Sequence, residues 1–225
     1  MGNVIGDILP MAIGVALSPI PIVAVILMLF SKKARSNGPA FLIGWILGLA
    51  IVGGIILMLA NAGKVMEGGT PSTIAYVIKL LLGLLFLVMA YRNWKKRPKE
   101  GETAPMPKWM EGIDAFTSGK SLGLAFFLSG LNPKNLALNL AATSIIAQAG
   151  LSTTQSWIAL VVFVFIASLS VGIPVIYYLV AGSSAEKTLM GWKAWLVQNN
   201  ATVMMLLLLV FGVMMIGKGI AGLTQ

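Results

Sequence analysis

The chain has 225 residues, 58% of them hydrophobic and only 10% charged, against about 25% charged in an ordinary soluble domain. That balance excludes a soluble globular enzyme, and the long apolar runs make residues 1–225 one polytopic membrane domain. The absence of Cys and His removes thiolate and imidazole metal sites, thioredoxin-like relays and disulfides, so no cofactor or metal is expected. The formal charge of +9 is carried in short loops between apolar runs, where it orients a membrane chain rather than binding nucleic acid.

Apolar runs of about 17 to 25 residues mark membrane helices. Six are predicted in chain order: Val4 to Phe30, Gly38 to Asn61, Ser72 to Tyr91, Lys120 to Ala147, Gln155 to Ala181 and Ala201 to Gly222. Only helices or closed barrels satisfy backbone amides in lipid, so each run is read as helical. The first run lacks the basic start and cleavage site of a signal peptide and is kept as a span. Gly44 and Gly48 form a GxxxG pair, followed by Gly53 and Gly54. Such small residues let helices approach closely, and the glycine faces of spans two and six suit either a homodimer or packing within one subunit. Gly172-Ile173-Pro174 is read as packing or as a hinge in span five. Ala185 to Val197 is read as an interfacial anchoring helix.

Basic residues alternate between loops. Lys32, Lys33 and Arg35 lie in the first, Arg92, Lys95, Lys96, Arg97, Lys99, Lys108 and Lys120 in or beside the third, and Lys187 and Lys193 in the fifth. Only Lys64 and Lys218 stand opposite. The positive-inside rule then makes those three loops cytoplasmic and places both termini outside a plasma-membrane protein. Residues 92–119, with Pro98, Pro105 and Pro107, are the linker. Residues 1–91 and 120–225 each carry three spans. An odd number per half inverts the second relative to the first, giving an all-α fold of two inverted three-helix repeats.

Both halves carry a proline-interrupted helix. Ser18-Pro19-Ile20-Pro21 falls near the middle of span one and Asn132-Pro133-Lys134-Asn135 near the middle of span four. Proline removes an amide donor and clashes with the carbonyl four residues back, so each span is predicted to break there. Ser18 and Asn132 occupy N-cap positions with Pro at N1, which predicts fresh helix starts in mid-membrane whose amides and dipoles attract anions. Paired interrupted helices point to a transporter's central site. Lys134 adds a positive charge that costs about 2.5 to 3.5 kcal/mol in the hydrocarbon core on insertion scales. Without an acid at its depth, its partner is expected to be a bound anion or a carbonyl-lined aqueous cavity, the alternative being snorkelling to the cytoplasmic surface. Asn132, Asn135, Asn139 and Thr143 share one helix face, read as a polar route or as interhelical glue. Asp7 and Lys79 lie at similar depth and are expected to pair, as a structural ion pair or a gate.

Leu17-Ser18-Pro19-Ile20-Pro21-Ile22, then Phe41-Leu42-Ile43-Gly44-Trp45-Ile46-Leu47-Gly48, then Asn132-Pro133-Lys134-Asn135-Leu136 together resemble the GAP (Sap, sulfolipid- and glycopeptidolipid-addressing) family of the lysine-exporter superfamily. The resemblance spans nearly the whole chain. It implies a six-helix exporter-like fold and outward movement of cell-envelope lipids or glycolipids. Other branches of that superfamily export amino acids or metal ions, or carry electrons through paired cysteines. The absence of Cys excludes electron transfer, and a span set with Asp7 as its sole acid disfavours hard cations.

The leading expectation is a membrane exporter or flippase of an anionic lipid or glycolipid precursor, binding the head group at Ser18, Pro19, Pro21, Asn132, Pro133, Lys134, Asn135 and Asn139. The alternative is a proton-coupled exporter of an amino acid or small organic anion. An enzyme is not expected, because no clustered carboxylates, His or Cys supply an acid, base or nucleophile. The expected partners are the lipid or small-molecule cargo and the surrounding membrane lipids.

Overall fold

A computed structural model describes residues 1–66, 73–99, 102, 104 and 108–224. The expected start of span three at Ser72 and the linker prolines Pro105 and Pro107 lie outside the described residues. The described residues are helical, with no strand among them. In order they form α1 (Gly2–Ala16), α2 (Pro19–Leu29), α3 (Ala34–Met66) and α4 (Thr73–Lys95). A 3-10 segment (Lys108–Ala115) then leads into α5 (Ser118–Phe126), a π-turn (Phe127–Leu131) and α6 (Pro133–Gln148). α7 (Thr153–Ala181), a 3-10 turn (Gly182–Ala185) and α8 (Glu186–Leu223) complete the chain.

Among the described residues three helical stretches are long and apolar enough to cross a membrane: Ala34–Leu59, Tyr76–Lys95 and Thr153–Leu223, the last holding both α7 and α8. The pair α1 and α2, bent by 53°, is a fourth if taken as one span. The outer faces match that solvent. Val180 is 83% exposed and Phe165 66%, and such side chains over contiguous helix faces are at home in lipid, not water. The interior is packed around fully buried Ile8, Met11, Trp45, Leu138 and Phe163. The Trp45 indole N–H donates to the Ala167 carbonyl at 3.2 Å, satisfying its polar end inside the core.

The run Lys120 to Ala147 breaks where it was expected to, as α5, the π-turn and α6 in series, because Pro133 cannot supply the amide that would continue the ladder. The expectation for the last part of the chain is corrected. The interfacial helix Ala185 to Val197 and the span Ala201 to Gly222 are one 38-residue helix, α8. Gln198, Asn199 and Asn200 between them are polar but include no proline or glycine to stop it. Gly172 and Pro174 make no break either, since α7 runs through both. α7 ends instead at Gly182, whose φ of +57° suits glycine alone at low cost.

The glycines close interfaces inside the chain. α3 packs on α5 and α4 on α8. A Cβ at Gly44 would meet the Leu122 backbone, and one at Gly48 would sit 2.7 Å from the Phe126 carbonyl oxygen. Gly212 faces the Gly83 carbonyl across the α4–α8 seam, at 3.0 Å from where a Cβ would lie. The glycine faces of the second and sixth expected spans are thus occupied within one subunit. The Gln198 side chain clasps the linker, donating through Nε2 to the Glu102 carbonyl at 2.8 Å and accepting from the Ala104 amide at 3.1 Å.

Because the obstacle at Gly44 is backbone, Gly44→Val is expected to destabilise the protein by about 1 to 3 kcal/mol through overpacking. Gly123→Ala on α5, whose Cβ would meet nothing within 4 Å, should be neutral or stabilising. Thermal unfolding of both variants in detergent measures the difference, and equal midpoints would contradict the α3–α5 contact.

Candidate functional site

The two proline breaks face one another. α1 ends at Ala16 and α2 begins at Pro19 with Ser18 as an extended N-cap. The π-turn ends at Leu131 and α6 begins at Pro133 with Asn132 as its extended N-cap. The two caps satisfy different groups. Asn132 Oδ1 accepts from the Lys134 amide at 3.1 Å, an ordinary N-cap bond. The Ser18 side chain makes no cap bond to its own helix. It turns back to α1, where its hydroxyl donates to the Val15 carbonyl at 2.6 Å, with Asn135 Oδ1 3.3 Å away. The reason lies in the backbone: Pro19 has no N–H to offer the Val15 carbonyl, and the Ser18 amide bonds to Ala16 instead of reaching Gly14.

Lys134 fills the second vacancy. It is 3% exposed, and its Nζ donates to the Gly14 carbonyl at 2.7 Å and to Ser18 Oγ at 2.5 Å. An ammonium at the C-terminal end of α1 also meets the negative end of that helix dipole. Lys134 thus turns inward instead of snorkelling, and of the two partners expected for it the structure shows the carbonyl-lined one, completed by the Ser18 hydroxyl oxygen. The only acidic residues on the eight α-helices are Asp7 and Glu186, both exposed.

The polar stripe divides. Asn135 Nδ2 donates to the Leu128 carbonyl at 2.8 Å, tying α6 to the π-turn. Asn139 is fully buried and its Nδ2 donates to the Leu49 carbonyl of α3 at 3.1 Å. The Thr143 hydroxyl donates back to the Asn139 carbonyl at 2.7 Å. In this conformation the buried Asn139 ties α6 to α3, while Thr143 bonds back within α6. The Asp7–Lys79 pair is also corrected: Asp7 is exposed, while Lys79 Nζ donates to Gln148 Oε1 at 3.4 Å and lies 5.0 Å from the Tyr76 ring centroid. The neutral amide and the aromatic face give that ammonium a local partner without an ion pair.

Ser18, Pro19, Ile20, Pro21, Asn132, Lys134, Asn135 and Met204 line a cavity of about 40 Å³, room for a few water molecules and no more. Seven of these eight come from the two breaks themselves. Met204 and the Gly14, Val15 and Leu128 carbonyls were not singled out by sequence. The Val15 carbonyl carried a usable signal, since it lies four residues before Pro19 and must lose its donor.

The fold and the breaks define an all-helical protein with several helices able to cross a membrane and a buried polar centre at two interrupted helices. More particularly, the chain belongs to the Sap, sulfolipid-1-addressing protein family, which it matches over residues 8–221. No curated protein and no solved structure matches it.

The bridge at Ser18 is testable by stability. Ser18→Ala strips the Val15 carbonyl of its donor and Lys134 of one acceptor, an expected loss of about 1 to 3 kcal/mol. Ser18→Thr keeps the hydroxyl and should lose less. Thermal midpoints in detergent read both, and a Ser18→Ala protein as stable as the parent would remove the hydroxyl from the bridge.

Proposed function

We propose that this chain is an exporter or flippase that moves an anionic lipid or glycolipid envelope precursor outward across the plasma membrane. The family name speaks of addressing a sulfolipid, and a sulfated or otherwise anionic head group is what a buried, acid-free ammonium selects. The observation that carries the reading is Lys134, held by two neutral oxygens beside a cavity shared by both interrupted helices. A sulfate, phosphate or carboxylate oxygen makes a stronger, charge-assisted bond to an ammonium than a carbonyl does. An arriving head group therefore draws Lys134 off Gly14, frees the end of α1 and loosens the α1–α2 break. Anion binding and helix movement become one event. In the conformation described, the cavity beside Lys134 has space for a few waters.

The layout belongs to the same proposal: six spans as two inverted three-helix repeats, residues 1–91 and 120–225, joined by a cytoplasmic linker over 92–119, with both termini outside. The matched Ser-Pro and Asn-Pro helix starts support the repeat, and the basic loops support the orientation. The chain acts as a transporter rather than an enzyme, on membrane-borne cargo rather than nucleic acid. The small size of the cavity favours a second reading, proton-coupled export of an amino acid or small organic anion.

Two experiments test these statements. With no native Cys, Gly2→Cys should label with a membrane-impermeant maleimide from outside and Thr103→Cys only after permeabilisation, the reverse pattern inverting the topology. In reconstituted vesicles, Lys134→Met should fold yet lose translocation of a labelled anionic lipid, while Lys134→Arg keeps part of it, because guanidinium retains charge with a different donor geometry. Undiminished translocation by a well-folded Lys134→Met protein would end the anion-site reading.

A further inference from the structure

Beside the Lys134 cavity lies a larger apolar groove of about 320 Å³, lined by Ile22 of α2, Ser170, Ile173 and Pro174 of α7, and Trp192, Trp195 and Leu196 of α8. Its mouth faces sideways, since Ile173, Trp192 and Trp195 are exposed. The groove and two inner cavities share lining residues in sequence. Leu196 also lines a small cavity of about 30 Å³ with Pro19, Ile20 and Asn200, and Pro19 and Ile20 in turn line the cavity that holds Lys134 and Asn132. Polarity rises along this line. The groove is apolar but for Ser170, the middle cavity has Asn200, and the inner cavity ends at the ammonium; Ser170 Oγ and Asn200 Oδ1 are both buried without a partner.

We propose that this groove binds the acyl chain of the cargo, entering from the bilayer between α7 and α8, while the anionic head group reaches inward past Asn200 to Lys134. A gradient from apolar wall to unpaired acceptor to buried cation fits an amphiphile lying along it, with Asn200 Oδ1 taking a head-group hydroxyl. A fully water-soluble anion would use the inner cavity alone and leave the groove and the Asn200 acceptor without a role. The inference rests on the lipid-cargo reading and assigns its tail a path through the side of the protein. A second apolar groove of about 350 Å³ between α3 and α7, lined by Trp157 among others, shares no lining residue with the cavities at Asn200 and Lys134 and serves as an internal comparison.

Tryptophan quenching by brominated lipid tests this directly, because bromine on an acyl chain quenches only indoles it touches. The full chain is reconstituted in zwitterionic phosphatidylcholine bilayers containing a small fraction of phosphatidylglycerol or phosphatidylcholine with dibrominated tails. The groove signal is the quenching lost on Trp192→Phe/Trp195→Phe, and the comparison signal is that lost on Trp157→Phe. The groove signal should prefer the anionic lipid on the order of tenfold, as one charge-assisted hydrogen bond supplies, and the Trp157 signal should show no preference. Lys134→Met should abolish the preference while leaving quenching by the zwitterionic lipid, and Ser170→Phe, which fills the groove, should remove the groove signal. Equal quenching by both lipids in the parent protein, or a preference that survives Lys134→Met, overturns the proposal. Because this readout is binding and not movement, a selective groove in a protein that fails to translocate lipid would sustain the inference and reject the transport reading.

Discussion

An α-helix that stops inside a low-dielectric interior exposes carbonyls that water cannot reach, and each unsatisfied one costs several kcal/mol in lipid. The centre of this protein follows from how that requirement is met at the end of α1. Pro19 withholds one amide and the turn at Ser18 diverts another. The vacancies at Val15 and Gly14 are filled by a hydroxyl from the break itself and by an ammonium from the far half of the chain. Lys134 is therefore a structural donor before it is anything else. Its charge is tolerated because the helix end it meets is the negative one and because Ser18 Oγ supplies a second acceptor.

The same arrangement links stability to function. A neutral carbonyl holds a cation less tightly than an anion would, so in the proposed function the contact that closes the break is the one a negatively charged cargo competes for. The surrounding packing is less negotiable. Gly44 and Gly48 bring α3 against the backbone of α5 and the π-turn, and Asn139 pins α6 to α3 through the Leu49 carbonyl. In the proposed function the α1–α2 break and the start of α6 are the parts that adapt. The π-turn fits that role, since its Asn132 amide reaches five residues back to Phe127 at 3.0 Å, the wider ladder found where a helix accommodates a site.

Much of this was legible in the residues and some was not. Pro19 and Pro133 announce the helix starts because proline acts on its own backbone. Gly44 and Gly48 announce a close approach because only glycine lacks the atom that would prevent it. The pairing of Asp7 with Lys79 failed because similar depth along two helices says nothing about which faces meet, and α4 turns Lys79 toward Gln148 and Tyr76. The choice between a polar route and glue along Asn139 and Thr143 stayed open in the sequence for a related reason: a stripe of amides and hydroxyls lines water or glues helices according to what is packed on it, and α3 is packed on Asn139.

The sequence by itself determined the solvent of the chain, the places where its helices break and the presence of a buried cation without an acid to match it. Each of these is a local property, set by apolar run length, by proline's missing amide and ring, and by composition. Only the tertiary structure decided that the cation's partners are Gly14 and Ser18, that two breaks more than a hundred residues apart share one small cavity, and that an apolar groove lies near it between α2, α7 and α8. Those facts depend on which helix faces meet. That choice comes from packing and hydrogen-bond satisfaction over the whole chain, and no window of sequence contains it.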